Sequence, residues 1–230
     1  MIGVRKRILW IDVIRSVCLI LMVLEHIVIY TLKINSSFWG VNRDHPLYNF
    51  VELCDSIFTS NWLHNIKYIV VGLFFFISGV SFNLSKNNEI RCLKIMSFAI
   101  LINIITALVE FYTQFDCLVL FGILHCMATC LFIWILLSKI KNENLKWLIC
   151  IVFFTTSIIL TIMKPTLSST NILMIFGVPQ DDYRSGFDYF PIFPWITVYS
   201  FGVVMNIKGN KGKEEKTSRF YKTISFYRAL

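Results

Sequence analysis

Residues 9–30, LWIDVIRSVCLILMVLEHIVIY, form an apolar stretch long enough to cross a membrane as one helix. Four ionisable residues interrupt it: Asp12, Arg15, Glu25 and His26. An ionisable side chain at the bilayer centre costs roughly 2.5–3.5 kcal/mol on insertion scales, so a helix that only anchors the chain would not accept four of them. Arg15 and His26 lie about three helical turns and ~16 Å apart on nearly the same face, with Leu19 and Met22 between them. The stretch therefore predicts a polar seam that faces the inside of a helix bundle.

The composition indicates an integral membrane protein. Of the 230 residues, 56% are hydrophobic, and the mean hydropathy of +0.66 is high for a soluble globular domain. Stretches long enough to cross the bilayer recur at 9–30, 66–85, 94–113, 117–138, 146–163 and 188–206. The sequence predicts an all-α integral membrane protein: a polytopic bundle of about six transmembrane helices within residues 1–206, followed by a basic cytoplasmic tail at 207–230. Its expected location is the cell membrane.

The basic residues predict the orientation of the bundle. With the N-terminus in the cytoplasm, lysine and arginine concentrate on the inner side, in segments 5–7, 86–94, 139–146 and 208–228. The outer loops, which include the long segments 31–65 and 164–187, hold few of them, as the positive-inside rule requires. This asymmetry accounts for the net charge of +8, so no nucleic-acid partner is expected.

Polar residues are expected to converge in the outer half of the membrane. His26 lies about one turn below the outer end of the first helix, and His125 about two turns below the outer end of the fourth. Asp188 opens the predicted sixth helix, where Pro191 and Pro194 should bend or unwind the backbone and free carbonyl groups. Because imidazole titrates near neutrality, His26 is the main candidate for a general base. His125 is either part of the same site or a helix–helix hydrogen-bonding group.

The other charged candidates each have two interpretations. Asp12 and Arg15 lie near the inner face and can pair with each other across one turn, as a structural ion pair or as a phosphate contact. Glu25 either reaches the lipid headgroups or contacts substrate. Arg184 lies in the outer loop 164–187, which either grips a ligand or only connects two helices.

Small and sulfur-containing residues point to packing rather than to chemistry. Ser78 and Gly79 are predicted to let two helices approach closely. None of the seven cysteines forms a C-x-x-C pair, and most lie in apolar stretches where a thiol acts as a small hydrophobic group. His125 and Cys126 would point about 100° apart on a helix, so no metal site is expected.

Five motifs occur in order along the chain: R-I-L-W-I-D-V-I-R at 7–15, L-M-V-L-E-H at 21–26, F-F-F-I-S-G at 74–79, F-G-I-L-H at 121–125 and D-Y-F-P-I-F-P-W at 188–195. With them the chain resembles the catalytic-domain family of heparan-α-glucosaminide N-acetyltransferase, including its bacterial members, over about residues 5–206. The spacing of Arg15 and His26 also resembles the first helix of the broader transmembrane acyltransferases that modify envelope polysaccharides.

The resemblance implies a multi-helix enzyme that takes acetyl from cytoplasmic acetyl-CoA and delivers it across the membrane. The implied acceptor is a sugar or amino sugar, and for a bacterial relative a cell-envelope glycan. CoA phosphates would meet the basic inner face and Arg15. His26 would take a proton from the acceptor or carry the acetyl group itself, and the sequence leaves both routes open. Asp188, Glu25 or His125 would orient the imidazole or bind the acceptor.

A non-enzymatic membrane protein, either a transporter subunit or a scaffold, is the alternative. Bacterial members of the family usually continue to a last helix with a G-x-x-S-L-x-x-Y-L-x-H-Q-P-like motif, and the present sequence ends at Leu230 without it. That difference favours a truncated, minimal or inactive relative. The alternative predicts no acetyl-CoA binding and a His26 that tolerates glutamine. A homo-oligomer is compatible with either interpretation.

Overall fold

A computed structural model describes residues 9–41, 43–163, 171–178 and 188–205, and over these ranges the chain forms helices and loops without a β-strand. The helices are α1 Leu9–Ile34, α2 Tyr48–Phe58, α3 Asn61–Phe82, α4 Asn88–Thr113, α5 Ile123–Leu137, α6 Glu143–Met163, α7 Asn171–Phe176 and α8 Ile192–Met205. A π-helical turn, Asn35–Trp39, extends α1 and ends at Gly40, whose φ of 52° is left-handed. The predicted all-α architecture is confirmed.

Four of the described helices are long and apolar enough to cross a membrane: α1, α3, α4 and α6. The other two predicted spans correspond to α5 and α8, which are shorter apolar helices. Exposed aliphatic and aromatic side chains cover the outer faces of α1, α4 and α6, as expected for helices that contact lipid. The chain is therefore a membrane protein with several apolar helices, as the composition predicted.

The central helices of the bundle are α5 and α8. Both carry fully buried side chains, among them Leu131 and Trp134 on α5 and Ile196 and Tyr199 on α8. The indole N–H of Trp134 donates to Ser200 Oγ at 2.7 Å. Because both groups are buried, this hydrogen bond satisfies polar atoms that would otherwise be costly in an apolar interior.

The crossing of α3 and α8 brings two backbones into contact. A Cβ added at Gly79 would lie 2.1 Å from the carbonyl oxygen of Tyr199, and one added at Gly202 would lie 2.2 Å from that of Phe76. Only glycine fits at this distance. The predicted close packing at Ser78 and Gly79 is thus confirmed, and α8 is the partner helix.

Two predicted helix starts were wrong. The span expected from 117 begins at Ile123, because the Glu110 carboxylate accepts the backbone N–H groups of Cys117 and Leu118, at 3.0 and 2.7 Å, and holds a loop there. The span expected from 188 begins at Ile192, so Asp188 lies in a non-helical segment before α8 rather than at its first turn.

The outer segment 31–65 also differs from the expected loop. Its first residues continue α1, and it contains α2, which packs against α1. Its last residues already belong to α3. Lys67 lies inside α3 and within the apolar span Asn65–Phe82.

Candidate active site

His26 lies on α1 with one ring nitrogen committed to the backbone. Its Nδ1 is 2.7 Å from the carbonyl oxygen of Met22, one turn earlier. Since a carbonyl only accepts, Nδ1 carries the proton in this arrangement and Nε2 presents its lone pair in the neutral ring. The ring stacks on Tyr30, with centroids 6.2 Å apart, and about a third of the side chain is exposed. This geometry leaves Nε2 available as a base.

Asp188 faces that nitrogen from the segment before α8. Its Oδ1 lies 3.8 Å from His26 Nε2, and its side chain is 15% exposed. This distance exceeds the 2.7–3.2 Å range of a direct N–H···O bond. Oδ1 is also buried and has no hydrogen-bond partner within the described part of the chain. The lone pair of Nε2 and the carboxylate therefore face each other across a gap that a hydrogen-bond donor would fill.

The second carboxylate oxygen of Asp188, Oδ2, packs against Gly122. A Cβ added at Gly122 would lie 2.3 Å from Asp188 Oδ2, so the carboxylate packs directly on the glycine backbone. The N–H of Phe190 donates to the carbonyl of Phe121 at 3.1 Å and ties the segment 188–190 to the residues just before α5. The close approach therefore requires glycine at 122.

Pro191 and Pro194 were expected to free backbone carbonyl groups in this segment. The carbonyl of Pro191 itself accepts a hydrogen bond from the buried Cys126 thiol, with the sulfur 3.3 Å from the oxygen. This contact ties the start of α8 to α5. Among the described residues, Pro191 therefore contributes to the packing of the site rather than to an open polar lining.

His125 caps α5 and lies beside Asp188. Its Nδ1 accepts the N–H of Gly122 at 3.3 Å, so the proton of the neutral ring is on Nε2. That Nε2 is buried and makes no hydrogen bond in the described ranges. The Asp188 charge acts electrostatically on the ring. The structure thus brings His26, Asp188 and His125 to one place, and the hydrogen bonds of the two histidines imply opposite tautomers.

Glu25 points to a different partner. Its Oε1 lies 2.7 Å from Lys67 Nζ, and the two side chains are 12% and 23% exposed. The Lys67 ammonium also lies 5.9 Å from the centre of the Phe190 ring, which connects the ion pair to the segment that carries Asp188. Sequence reasoning missed Lys67. The signal was present, because a lysine inside an apolar helix needs a carboxylate at similar depth.

Asp12 and Arg15 form an ion pair with each other at the opposite end of α1. By helical rise Arg15 is therefore about 16 Å and Asp12 about 21 Å from His26, and neither joins its cluster. Arg184 lies outside the described residues. Within the described ranges, no group of three or more histidine, cysteine, aspartate or glutamate side chains could hold a metal ion.

The arrangement of base, carboxylate and buried donor suits proton transfer from a bound hydroxyl or amine. The family model for heparan-alpha-glucosaminide N-acetyltransferase, catalytic, matches residues 7–227, nearly the whole chain, and its range includes all five motifs. No curated protein and no solved structure matches the chain.

Proposed function

This chain belongs to the heparan-alpha-glucosaminide N-acetyltransferase catalytic family, whose activity is membrane acetyl transfer, and from that premise we propose its reaction. The donor is cytoplasmic acetyl-CoA. The acceptor is a sugar or amino sugar at the outer side of the cell membrane, of the cell-envelope glycan class. His26 is the general base, Asp188 its partner carboxylate, and Arg15 with Asp12 lies where the CoA phosphates enter.

The observation that best supports this proposal is the distance of 3.8 Å between His26 Nε2 and Asp188 Oδ1. Two acceptor atoms that face each other in a mostly buried place repel unless a proton lies between them. A hydroxyl or amine of the acceptor supplies such a proton. It donates to Nε2, and its oxygen or nitrogen is then oriented for attack.

The transfer proceeds in two balanced stages. The acceptor oxygen or nitrogen forms a bond to the thioester carbonyl carbon while its proton moves to His26 Nε2, and Asp188 stabilises the imidazolium. The carbon–sulfur bond then breaks, and the imidazolium returns the proton to the departing CoA thiolate. The acetylated acceptor and CoA leave, and the enzyme is unchanged. Neutral His125 Nε2–H is a further donor beside the carboxylate.

An acetyl-histidine route uses the same ring nitrogen as nucleophile. The two routes differ in what forms when the acceptor is withheld. With acetyl-labelled acetyl-CoA alone, direct transfer leaves no label on the protein, whereas the acetyl-histidine route leaves up to one acetyl group per chain. We propose direct transfer, because Asp188 is placed to stabilise a protonated imidazole. Stoichiometric acid-labile label would contradict it.

The experiment that tests the function is acetyl transfer by the full chain in nanodiscs, with labelled acetyl-CoA and a set of amino-sugar and glycan acceptors. His26→Ala should abolish transfer while acetyl-CoA binding, measured by calorimetry, remains. His45→Ala is the matched control, because His45 is exposed and lies in a turn before α2. Turnover undiminished by His26→Ala would refute the assignment. Absence of acetyl-CoA binding in a folded sample would favour the non-enzymatic alternative.

A further inference from the structure

A pocket adjoins the ring of His26. Its volume is about 440 Å³, and it lies between the end of α1, the π-helical turn, α4 and the loop that precedes α5. Tyr30 is part of its wall and also stacks on His26, with the ring centroids 6.2 Å apart. The pocket is therefore one aromatic ring away from the proposed base, and its volume falls within the usual range for ligand sites, roughly 300–1,000 Å³.

The walls of this pocket are largely aromatic and aliphatic. Phe38 and Trp39 come from the π-helical turn and are about half exposed. The Phe38 ring lies against the buried Phe115, with the ring centroids 5.4 Å apart. Val109 of α4 lines the pocket and is 41% exposed, and its neighbour Leu108 is exposed on the lipid-contacting surface of the same helix. The pocket is therefore open at its rim, beside side chains that contact lipid.

The hydroxyl and thiol groups of the α4 and loop walls are engaged within the protein. The Thr106 hydroxyl accepts the N–H of Val119 and the Thr113 hydroxyl accepts that of Phe115, both at 3.3 Å. Each hydroxyl also donates to a carbonyl one turn earlier on α4, at 2.9 and 2.7 Å. The Cys117 thiol donates to the carbonyl of Thr106, with the sulfur 3.5 Å from the oxygen. The pocket therefore offers mainly apolar surface, which suits a hydrocarbon group better than a sugar ring whose hydroxyls need partners.

Hydrogen bonds hold two of the walls in place without a ligand. At the π-helical turn, the Asn35 carbonyl accepts the N–H of Gly40 at 2.9 Å, and Asn35 Oδ1 accepts that of Val41 at 3.0 Å. At the opposite wall, the Glu110 carboxylate holds the loop after α4 through two backbone N–H groups. A preformed pocket binds its ligand at a smaller ordering cost, and π-helical turns are frequent at functional sites.

We propose that this pocket binds the hydrocarbon carrier of a lipid-linked acceptor, whose sugar or amino sugar reaches His26 past Tyr30. The inference rests on the proposed function and names the class of its acceptor: a glycan attached to a membrane lipid rather than a free, soluble sugar. Such an acceptor stays in the bilayer and would enter the open rim by lateral diffusion. The carrier takes no part in making or breaking bonds, so the transfer step is the one given above.

Two acceptors that differ only in chain length test the pocket: methyl glucosaminide and octyl glucosaminide, with acetyl-CoA and the full chain in nanodiscs. The octyl acceptor should have a KM at least about 10-fold lower. Val109→Trp fills the pocket and Trp39→Ala removes a wall, so each should reduce this KM ratio about 3- to 10-fold. The effect is moderate because lipid is as apolar as the pocket, which adds only packing.

Ile104→Trp is the matched control. Ile104 is also on α4 and β-branched, is 52% exposed, and does not line the pocket, so its replacement should change the KM ratio less than about twofold. Partition of the octyl chain into the bilayer is the same in every variant and cancels in the comparison. A KM ratio indifferent to Val109→Trp and Trp39→Ala would overturn the pocket and leave the proposed function intact. An equal rise in KM for the methyl acceptor would place the sugar ring there and also overturn it.

A photoreactive acceptor tests the pocket without acetyl transfer. Octyl glucosaminide with a diazirine at the end of its chain should label residues of the pocket, as mapped by mass spectrometry, and excess octyl glucosaminide should suppress this labelling. If a phospholipid with a diazirine in its acyl chain labels the same residues equally, the pocket is a general lipid groove and the proposal fails. Competed labelling in the pocket without transfer to either acceptor would support the pocket while the proposed acetyl transfer failed.

Discussion

Gly122→Ala should disable acetyl transfer by displacing the Asp188 carboxylate. The new Cβ would lie 2.3 Å from Asp188 Oδ2, and ordinary contact begins near 3.4 Å, so the carboxylate must withdraw by about 1 Å. A displacement of this size at a reacting group can cost about 10²-fold in rate. The backbone at 122 has φ −93° and ψ −174°, which alanine adopts freely, so strain in the chain does not contribute.

The assay is kcat/KM for acetyl transfer in nanodiscs, with elution as a single species and the Tm as folding checks. Gly72→Ala provides the matched control on α3, because the atom nearest to its added Cβ is a Trp195 ring carbon at 4.0 Å. The control should keep wild-type activity. A double variant tests the route of the effect: Gly122→Ala should cost little more once Asp188→Ala is present, because both changes act on one carboxylate.

Three results would refute this reasoning about Gly122. Gly122→Ala could retain wild-type kcat/KM in a folded sample, which would mean that the Asp188 position does not limit the reaction. Gly72→Ala could lose as much activity, which would make the effect general to the bundle. Additive losses in the double variant would show that alanine at 122 acts on something other than Asp188.

Further predictions concern three groups around the site. His125→Gln should keep most activity, because glutamine at this third position of α5 can accept the N–H of Gly122 and still donate a hydrogen bond. His125→Glu cannot donate and adds a charge beside Asp188, so it should lower kcat/KM at least tenfold. Equal activities of the two variants would contradict the donor role of His125. Glu25→Gln should lower the free energy of unfolding by about 2–3 kcal/mol, because it leaves the Lys67 ammonium without its carboxylate partner. Replacing both Glu25 and Lys67 with leucine should cost less stability. A larger loss in the double variant would be incompatible with this account. Burial, more than the nearby Glu110 charge, raises the pKa of the Cys117 thiol. The rate of its labelling by maleimide should therefore be slow at pH 7.5 and rise about tenfold per pH unit, with Cys117→Ser as the control. A labelling rate that does not change with pH would argue against burial of the thiol.

Much of the helical framework could be predicted because apolar length alone marks a membrane-spanning helix. The predicted spans 9–30 and 146–163 fall within α1 and α6. The starts of α5 and α8 could not be predicted in the same way. They depend on the Glu110 carboxylate binding N–H groups of the following loop, and on the hydrogen bond from Phe190 to Phe121. Such contacts carry no periodic signal in the sequence.

The candidate site was predictable by residue type but not by geometry. An imidazole in an apolar helix singled out His26, and Asp188 was named although its helix begins later than expected. Gly122 was missed because its role is a close approach to a carboxylate far away in the sequence. Lys67 was missed although it lies inside the predicted span 66–85, because its partner Glu25 is on another helix. Both omissions concern partners, which only the packing of helices against each other reveals.

The charges of α1 are compatible with a membrane because they are separated and mostly paired. No charged residue lies between Arg15 and Glu25, so the middle of the helix is apolar. Of the groups at the two ends, Asp12 neutralises Arg15, and Lys67 neutralises Glu25. The insertion cost that makes charged helices improbable is therefore reduced at both ends.

What remains on α1 without full compensation is His26, whose Nε2 lies 3.8 Å from the Asp188 carboxylate. Arg15, near the other end of α1, lies about 16 Å from it along the helix. A donor that binds through phosphate at one end and reacts through its thioester at the other would engage both. Under that division, Arg15 acts on binding, so its loss raises KM for acetyl-CoA, while loss of Asp188 lowers kcat with little change in KM. The separation along α1 thus explains why one helix carries two polar ends with an apolar middle.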